Sequence, residues 1–208
     1  MIIVQPSYEI LTDIDKEKIF KNIEIAGRVC YKSEDKITPE SSDDFVKKIV
    51  KRDHLSVIEH EKITVRFIFS RGSSHELVRH RLASYSQEST RFCNYSKDKF
   101  GKEITVVDQR IYMKNELQRQ WWLTAMTHAE NGYMNLLDEL VPPQIARSVL
   151  PIGLKTEIVI TANLRHWKEI FKQRCAEEAQ PEIRNIMRKV HYEFSSKLPY
   201  IFGDLIGD

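Results

Sequence analysis

The segment Lys62–Ser70 alternates between apolar and mostly polar side chains, and this alternation constrains the fold more than any other segment does. A period of two is that of a β-strand with one buried face. The face that we expect to be buried carries Ile63, Val65, Phe67 and Phe69. Gly72-Ser73-Ser74 ends this strand, and Ser73 or Ser74 can cap a helix that continues to Arg81. The sequence therefore predicts a strand followed at once by a helix.

Segments with apolar residues at helical spacing lie on both sides of this strand. The serine-rich stretch after Arg81 favours caps and turns, Asn131-Gly132 is a candidate break in a long helix, and good caps stand at Ser41, Ser42, Asp43 and Asp44. Because strands and helices mix without regular alternation, we expect an α/β (α+β) fold rather than a doubly wound parallel sheet. The predicted elements are helices over residues 14–31, 41–53, 114–140, 164–175 and 181–197, a short helix after Pro142-Pro143, and a strand over residues 155–162.

Length and composition narrow the class of protein. A chain of 208 residues is typical of one domain, so residues 1–208 are expected to form a single unit. The formal charge of +2 is too small to indicate a nucleic-acid binder by itself. No apolar run approaches the ~18 residues of a membrane span, and the segment 1–6 lacks the basic start of a secretory signal. The default expectation is therefore a cytoplasmic protein with no membrane partner, and the composition gives no indication of a nucleic-acid partner.

Metal ligands and covalent nucleophiles are not indicated. Cys30, Cys93 and Cys175 are far apart and form no Cys-x-x-Cys, which argues against disulfides and zinc. Neither Cys93 nor Cys175 has an obvious activating base nearby, and no histidine–acid pair accompanies Ser89. Three histidines, His54, His60 and His80, accompany the carboxylates of Glu59 and Glu61, but their spacing matches no metal-binding motif. No metal is therefore expected, and Ser89 is expected to bind rather than attack.

The segment from Arg79 to Arg91 concentrates the polar groups of the chain. It holds three arginines, a histidine, three serines and a threonine within thirteen residues. Guanidinium groups offer paired donors in a fixed plane, and hydroxyls supply further hydrogen bonds, so this composition suits one fixed phosphate. A solvated basic face or contacts to nucleic-acid phosphates are the alternatives that composition leaves open.

The order of residues in this segment is more specific than its composition. Arg79-His80-Arg81, then seven residues, then Ser89 and Arg91 resembles the signature of the flavin-dependent thymidylate synthases. Three further segments resemble that family in the expected order: residues 54–60, the stretch Ala146-Arg147-Ser148-Val149-Leu150-Pro151, and Asn163-x-Arg165 with Arg174 eleven residues after Asn163. The resemblance spans roughly residues 54–182. It implies a central mixed or antiparallel sheet flanked by helices.

The resemblance also implies a role for particular residues. Arg174 is the implied catalytic residue, which activates the uracil ring. The deoxyuridylate (dUMP) site is implied for Glu76, Arg79, Gln87, Glu88, Ser89, Thr90, Arg91, Arg147 and Arg174. The FAD site is implied for Ser56, Arg79, His80, Arg81, Gln87, Asn163, Leu164, Arg165 and Glu169.

The implied reaction is the reductive methylation of dUMP to dTMP. The resemblance implies 5,10-methylenetetrahydrofolate as the one-carbon donor and FAD, reduced by NADPH, as the reductant. The one-carbon group passes by way of the reduced flavin, so no enzyme nucleophile is needed. The chain has no Gly-x-Gly-x-x-Gly, in keeping with a flavin bound outside a Rossmann fold. The family implies a homotetramer with active sites at subunit interfaces.

Two other classes of function stay open on the sequence alone. A nucleic-acid-binding module would use the arginines of segment 79–91 on phosphates, with steep salt dependence and no flavin colour. A structural homo-oligomer would rest on the aromatic helix over residues 114–140, and in that case Arg174→Ala would change no chemistry.

Overall fold

The computed structural model describes residues 1–203, which form a mixed α/β structure. The strands are β1 (Ile2–Val4), β2 (Ser7–Ile10), β3 (Lys62–Ser70), β4 (Ala83–Gln87), β5 (Thr105–Val107) and β6 (Lys155–Asn163). The helices are α1 (Lys16–Val29), α2 (Ser41–Lys51), α3 (Arg71–Leu77), α4 (Glu116–Asp138), α5 (Pro143–Ala146), α6 (Leu164–Arg174), α7 (Pro181–Lys197) and α8 (Pro199–Phe202). The predicted fold class is confirmed.

Two sheets organise the strands. Strands β2, β3, β6 and β4 form a four-stranded antiparallel sheet in that order, while β1 pairs in parallel with β5. In β3 every second residue from Ile63 to Phe69 is fully buried, as the alternation predicts. Strand β6 shows the same alternation from Thr156 to Ala162. Both long strands therefore contribute one apolar face to the core.

The helix after β3 begins and ends earlier in the sequence than expected. Ser70, rather than Ser73 or Ser74, is its N-cap, because the Ser70 hydroxyl accepts a hydrogen bond of 3.2 Å from the Ser73 amide. Helix α3 ends at Leu77, so Arg79 and Arg81 lie beyond it. The expectation of a helix that continues to Arg81 is wrong.

The serine-rich stretch also differs from expectation. Residues Ala83–Gln87 form strand β4, not caps and turns. Pairing within the sheet supplies the backbone hydrogen bonds for which serine side chains otherwise compete, and Tyr85 suits a pleated surface. In α2 the N-cap is Glu40, without a side-chain hydrogen bond, and the predicted caps lie inside the first turn.

Helix α4 runs without a break through Asn131-Gly132. Tyr133 is its fully buried residue, whereas Trp122, Met126 and Met134 are partly buried against a neighbouring apolar cluster. Trp121, by contrast, is 68% exposed. The aromatic stripe of this helix is thus partly core and partly surface.

The chain divides into two compact units. The first comprises Met1–Ser7, Phe67–Arg79 and Ser86–Ile158, and its core includes Tyr95, Val106, Tyr133 and Leu154. The second comprises Tyr8–Arg66, His80–Tyr85 and the described residues from 159 to 203. Its core holds an aromatic cluster of Trp167, Phe171, Phe194 and Phe202 with ring centroids 5.2–5.8 Å apart. The expectation of a single domain over residues 1–208 stays a prediction.

Within residues 1–203, no helix combines the length and the apolar character that crossing a bilayer requires.

Candidate active site

A tight turn in the first unit carries the predicted phosphate-binding residues. The amides of Phe92 and Cys93 donate to the Ser89 carbonyl at 3.1 and 2.9 Å. The amide of Arg91 donates to the Ser89 hydroxyl at 3.3 Å. Ser89 therefore organises the turn, and its oxygen atoms are bonded within the loop.

Two arginines from separate segments meet at this turn. Nε of Arg91 donates to Oε1 of Gln144 on α5 at 3.2 Å. Nη1 of Arg147, just after α5, donates to the hydroxyl of buried Thr90 at 3.3 Å. Both arginines are exposed beyond these contacts. The structure thus brings two guanidinium groups to one loop, an arrangement that suits an anion.

A charged network holds the start of the turn. The Glu88 amide donates to the Glu157 carbonyl at 2.9 Å, and the Lys155 ammonium lies 2.9 Å from the Glu88 carboxylate and 3.0 Å from that of Glu157. The Tyr95 hydroxyl donates to the other Glu88 oxygen at 2.7 Å. Both carboxylate oxygens of Glu88 therefore accept hydrogen bonds from the protein itself.

Lys155 and Tyr95 are residues that sequence reasoning missed. Burial alone lowers the pKa of Lys155, but hydrogen bonds to Glu88 and Glu157 outweigh it and raise that pKa. Burial, reinforced by Glu88, raises the pKa of the Tyr95 hydroxyl. The available signal was the spacing of Lys155 and Glu157, which share one face of a strand.

The other predicted dUMP residues of this unit surround α3. The side-chain amide of Gln87 donates to the hydroxyls of Ser74 at 2.9 Å and Thr156 at 3.1 Å. The backbone amide of Arg79 donates to the carbonyl of Glu76 at 3.4 Å, just past the end of α3, and the Arg79 side chain is exposed.

In the second unit the predicted catalytic residue contacts a predicted flavin residue. Nε of Arg174, the last residue of α6, donates to Nε2 of His80 at 3.0 Å. His80 is only 5% exposed, and its carbonyl accepts a bond of 2.8 Å from the Tyr85 hydroxyl. The rings of His80 and His166 meet edge-on at 5.8 Å.

The chemistry of His80 follows from these neighbours. Burial, the charge of Arg174 and the nearby His166 lower the pKa of His80 to about 4. The ring is therefore neutral at physiological pH. Because Nε2 accepts the bond from Arg174, the ring proton lies on Nδ1.

A cavity of about 760 Å³ lies between α1, α2 and the short 3₁₀ helix at Leu55–His60, within the second unit. Its lining includes the predicted flavin residues Ser56 and Arg165. Nη1 of Arg165 also contacts Glu59 at 2.6 Å. The lining cations are Arg28, Lys36, Lys48, Arg52 and Arg165, against the lining carboxylate of Asp53, and Arg28 is also paired with the buried Glu24 at 2.7 Å. The size and charge fit an extended molecule with a diphosphate.

The remaining predicted flavin residues do not line this cavity. The Asn163 side chain caps α6 by accepting from the His166 amide at 2.8 Å. Leu164 is fully buried, so its side chain belongs to the core, while Glu169 and Arg81 are exposed. It stays a prediction that Arg79, Arg147 and Arg174 converge on one nucleotide.

Within residues 1–203, no three histidine, cysteine or acidic side chains come together as metal ligands. Burial raises the pKa of the Cys175 thiol to about 12, so this cysteine is protonated and a poor nucleophile.

Comparison with known proteins agrees with the sequence motifs. Residues 13–200 match the family model described as thymidylate synthase complementing protein. A flavin-dependent thymidylate synthase of Geobacter sulfurreducens is 36% identical over 189 residues, covering 88% of this chain and 80% of the relative. The enzyme of the same name from Mycobacteroides abscessus is 31% identical over 225 residues, covering 97% and 85%. The chain therefore belongs to the family of flavin-dependent thymidylate synthases.

Proposed function

We propose that this chain converts dUMP to dTMP, with 5,10-methylenetetrahydrofolate as the carbon donor and NADPH as the source of electrons for its FAD. The observation that carries the proposal is the turn at residues 88–91, where Arg91 and Arg147 come together on a loop that bears the family signature. We further propose that the enzyme is a cytoplasmic homotetramer whose active sites lie between subunits.

The phosphate of dUMP is assigned to the turn. A phosphate dianion needs charge-assisted hydrogen bonds, and each contributes roughly 1.5–3 kcal/mol. Arg91 and Arg147 together would supply much of the ~8 kcal/mol that micromolar affinity requires, before the entropy cost of binding. The bonds to Gln144 and Thr90 hold both side chains near the loop before substrate arrives, which lowers that cost.

The uracil ring is assigned to Arg174. Uracil is a poor electrophile, so a guanidinium beside its carbonyl or ring nitrogen would stabilise the negative charge that develops during reaction. The bond from Nε to His80 leaves the planar guanidinium in a defined position for this task.

The flavin is assigned to the basic cavity of the second unit. The cations of its wall suit the diphosphate of FAD, and Ser56 and Arg165 belong to the same wall. When bound and reduced, FAD supplies the electron pair for the reductive step. The chain's own part is to place the cofactor and to screen its charge.

The test is the visible spectrum and turnover of the purified protein. We expect a yellow protein whose flavin absorbance bleaches with one equivalent of NADPH and returns when dUMP and 5,10-methylenetetrahydrofolate are added without oxygen, with dTMP detected by chromatography. NADH in place of NADPH measures the nicotinamide preference. Light scattering should give four times the chain mass of 24.5 kDa.

The competing functions predict different results. A nucleic-acid-binding module gives a colourless protein whose binding weakens steeply with salt. A structural oligomer binds no dUMP, and Arg174→Ala leaves every chemical readout unchanged. A colourless protein that forms no dTMP after incubation with FAD contradicts the proposed function.

A further inference from the structure

The contact between His80 and Arg174 joins two predicted roles in one hydrogen bond. His80 is predicted to touch flavin and Arg174 to act on uracil, yet Nε of Arg174 donates directly to Nε2 of His80 at 3.0 Å. An arginine side chain has several rotatable bonds, and its planar fork is useful only when its plane is fixed. A buried hydrogen-bond acceptor for the Nε–H, here Nε2 of His80, fixes the plane of the guanidinium.

We propose that His80 is the positioning residue for Arg174, holding its guanidinium through the Nε–H so that the terminal nitrogens face the substrate. This inference rests on the proposed function, because it takes the role of Arg174 from there. It goes further by assigning His80 a task on the nucleotide side of the reaction that is separate from any contact with flavin.

The surroundings of His80 preserve its ability to accept. The ring is buried, and the groups that face it are Arg174 and His166 of α6. Arg174 and His166 both disfavour protonation of the His80 ring, so the lone pair of Nε2 stays available to accept a hydrogen bond. The Tyr85 hydroxyl donates to the backbone carbonyl of His80 at 2.8 Å and thus fixes the backbone from which the imidazole ring extends.

The arrangement explains why a buried histidine stands here. A glutamate would also accept from Arg174, but its charge would offset the guanidinium's positive charge. A neutral imidazole orients the arginine and leaves its full charge for a developing oxyanion. A positioning residue of this kind acts through Arg174 alone.

Two amide substitutions form a matched pair for the test. In His80→Gln the amide oxygen is four bonds from Cα, as Nε2 is in histidine, so it can accept from Arg174. In His80→Asn the oxygen is one bond shorter and cannot reach. We expect the Asn variant to bind dUMP about tenfold to a hundredfold more weakly, measured by the perturbation of the flavin spectrum in the holoenzyme, and the Gln variant to stay within about threefold of wild type.

A double-mutant cycle separates positioning from flavin contact. In the background of Arg174→Ala, His80→Asn should have no further effect on the dUMP dissociation constant. The dUMP dissociation constant is measured on flavin-saturated protein, with flavin content per chain taken from absorbance and mass, and thermal melting confirms that each variant is folded. His128→Asn, an exposed histidine on α4, serves as the control and should change nothing.

Three results overturn the inference: additive effects in the cycle, a Gln variant as impaired as the Asn variant, or loss of flavin as the sole defect. These results overturn the inference when the wild-type protein itself binds dUMP and forms dTMP. A wild-type protein that binds no dUMP sinks the proposed function instead, so the two failures are distinguishable.

Discussion

The ammonium of Lys155 lies 2.9 Å from the carboxylate of Glu88, at the start of the turn that carries Ser89 and Arg91. Their side chains are only 20% and 13% exposed. A pair this sheltered is expensive to break, because either charge left alone loses its partner without regaining water. Lys155 therefore fixes the turn from the neighbouring strand, although it is not a predicted ligand.

Lys155→Met tests this role. We expect the free energy of unfolding to fall by about 2 kcal/mol, since Glu88 keeps its Tyr95 bond but loses its counter-ion. Affinity for dUMP should also fall, because the turn loses an anchor. Urea unfolding and calorimetric titration with dUMP measure the two effects.

The control for Lys155 is an exposed pair. Lys102 lies 3.0 Å from Asp98, with side chains 67% and 88% exposed. Lys102→Met should change stability by no more than about 0.5 kcal/mol. Equal losses in the two variants would contradict the anchoring role of Lys155.

Arg147→Lys tests whether the planar fork matters at the turn. Lysine keeps the charge but cannot donate to Thr90 and a phosphate in the same plane. We expect dUMP binding to weaken about tenfold or more, with flavin content unchanged, as measured by calorimetry and absorbance. Arg119→Lys, on α4, is the matched control and should bind dUMP as wild type does. Full affinity in the Arg147 variant would remove this residue from the phosphate site.

Periodicity predicted the parts of the fold that rest on burial. Strand β3 has the predicted bounds, and α6 and α7 agree with expectation to within one residue, because their apolar spacing is decided by the core. Strand β4 was missed because its serines carry no apolar pattern, and its stability comes from pairing in the sheet. Local propensity does not contain that information.

The candidate site likewise divides into residues that sequence motifs reveal and contacts that they do not. Arg91 and Arg147 could be singled out from motifs, because guanidinium chemistry and spacing are visible in sequence. The bond from Arg174 to His80 and the bond from Lys155 to Glu88 could not, since each joins residues far apart in the chain, and only the spacing of Lys155 and Glu157 was visible in sequence. Sequence identifies the groups that touch ligand more readily than the groups that hold them.

Acid should weaken the fold through His80. Its pKa falls from 6.5 in the unfolded chain to about 4 in the fold, so the unfolded chain binds the proton first as pH drops. The contribution of His80 to the free energy of unfolding is therefore constant above about pH 6.5 and declines as the pH falls to about 4. The loss between pH 8 and pH 5 is about 2 kcal/mol.

Comparison with His80→Gln isolates this effect from the carboxylates. Glutamine does not titrate, so its stability between pH 8 and pH 5 should fall by about 2 kcal/mol less than that of wild type. Urea unfolding at both pH values measures it. Parallel pH profiles for the two proteins would mean that His80 titrates normally in the fold.

Gly27 on α1 limits the width of the basic cavity. A Cβ added there would lie 2.5 Å from Cζ of Phe45, which lines the same cavity, so the ring must shift. Alanine favours a helix over glycine by about 1 kcal/mol, but overpacking costs about 1–3 kcal/mol, so Gly27→Ala should be neutral to destabilising and should lower flavin content. Gly132→Ala on α4, where the nearest atom is 3.8 Å away, should instead stabilise the protein and leave flavin unchanged. Thermal melting and flavin absorbance distinguish the two, and equal stabilisation would mean that Phe45 moves aside freely.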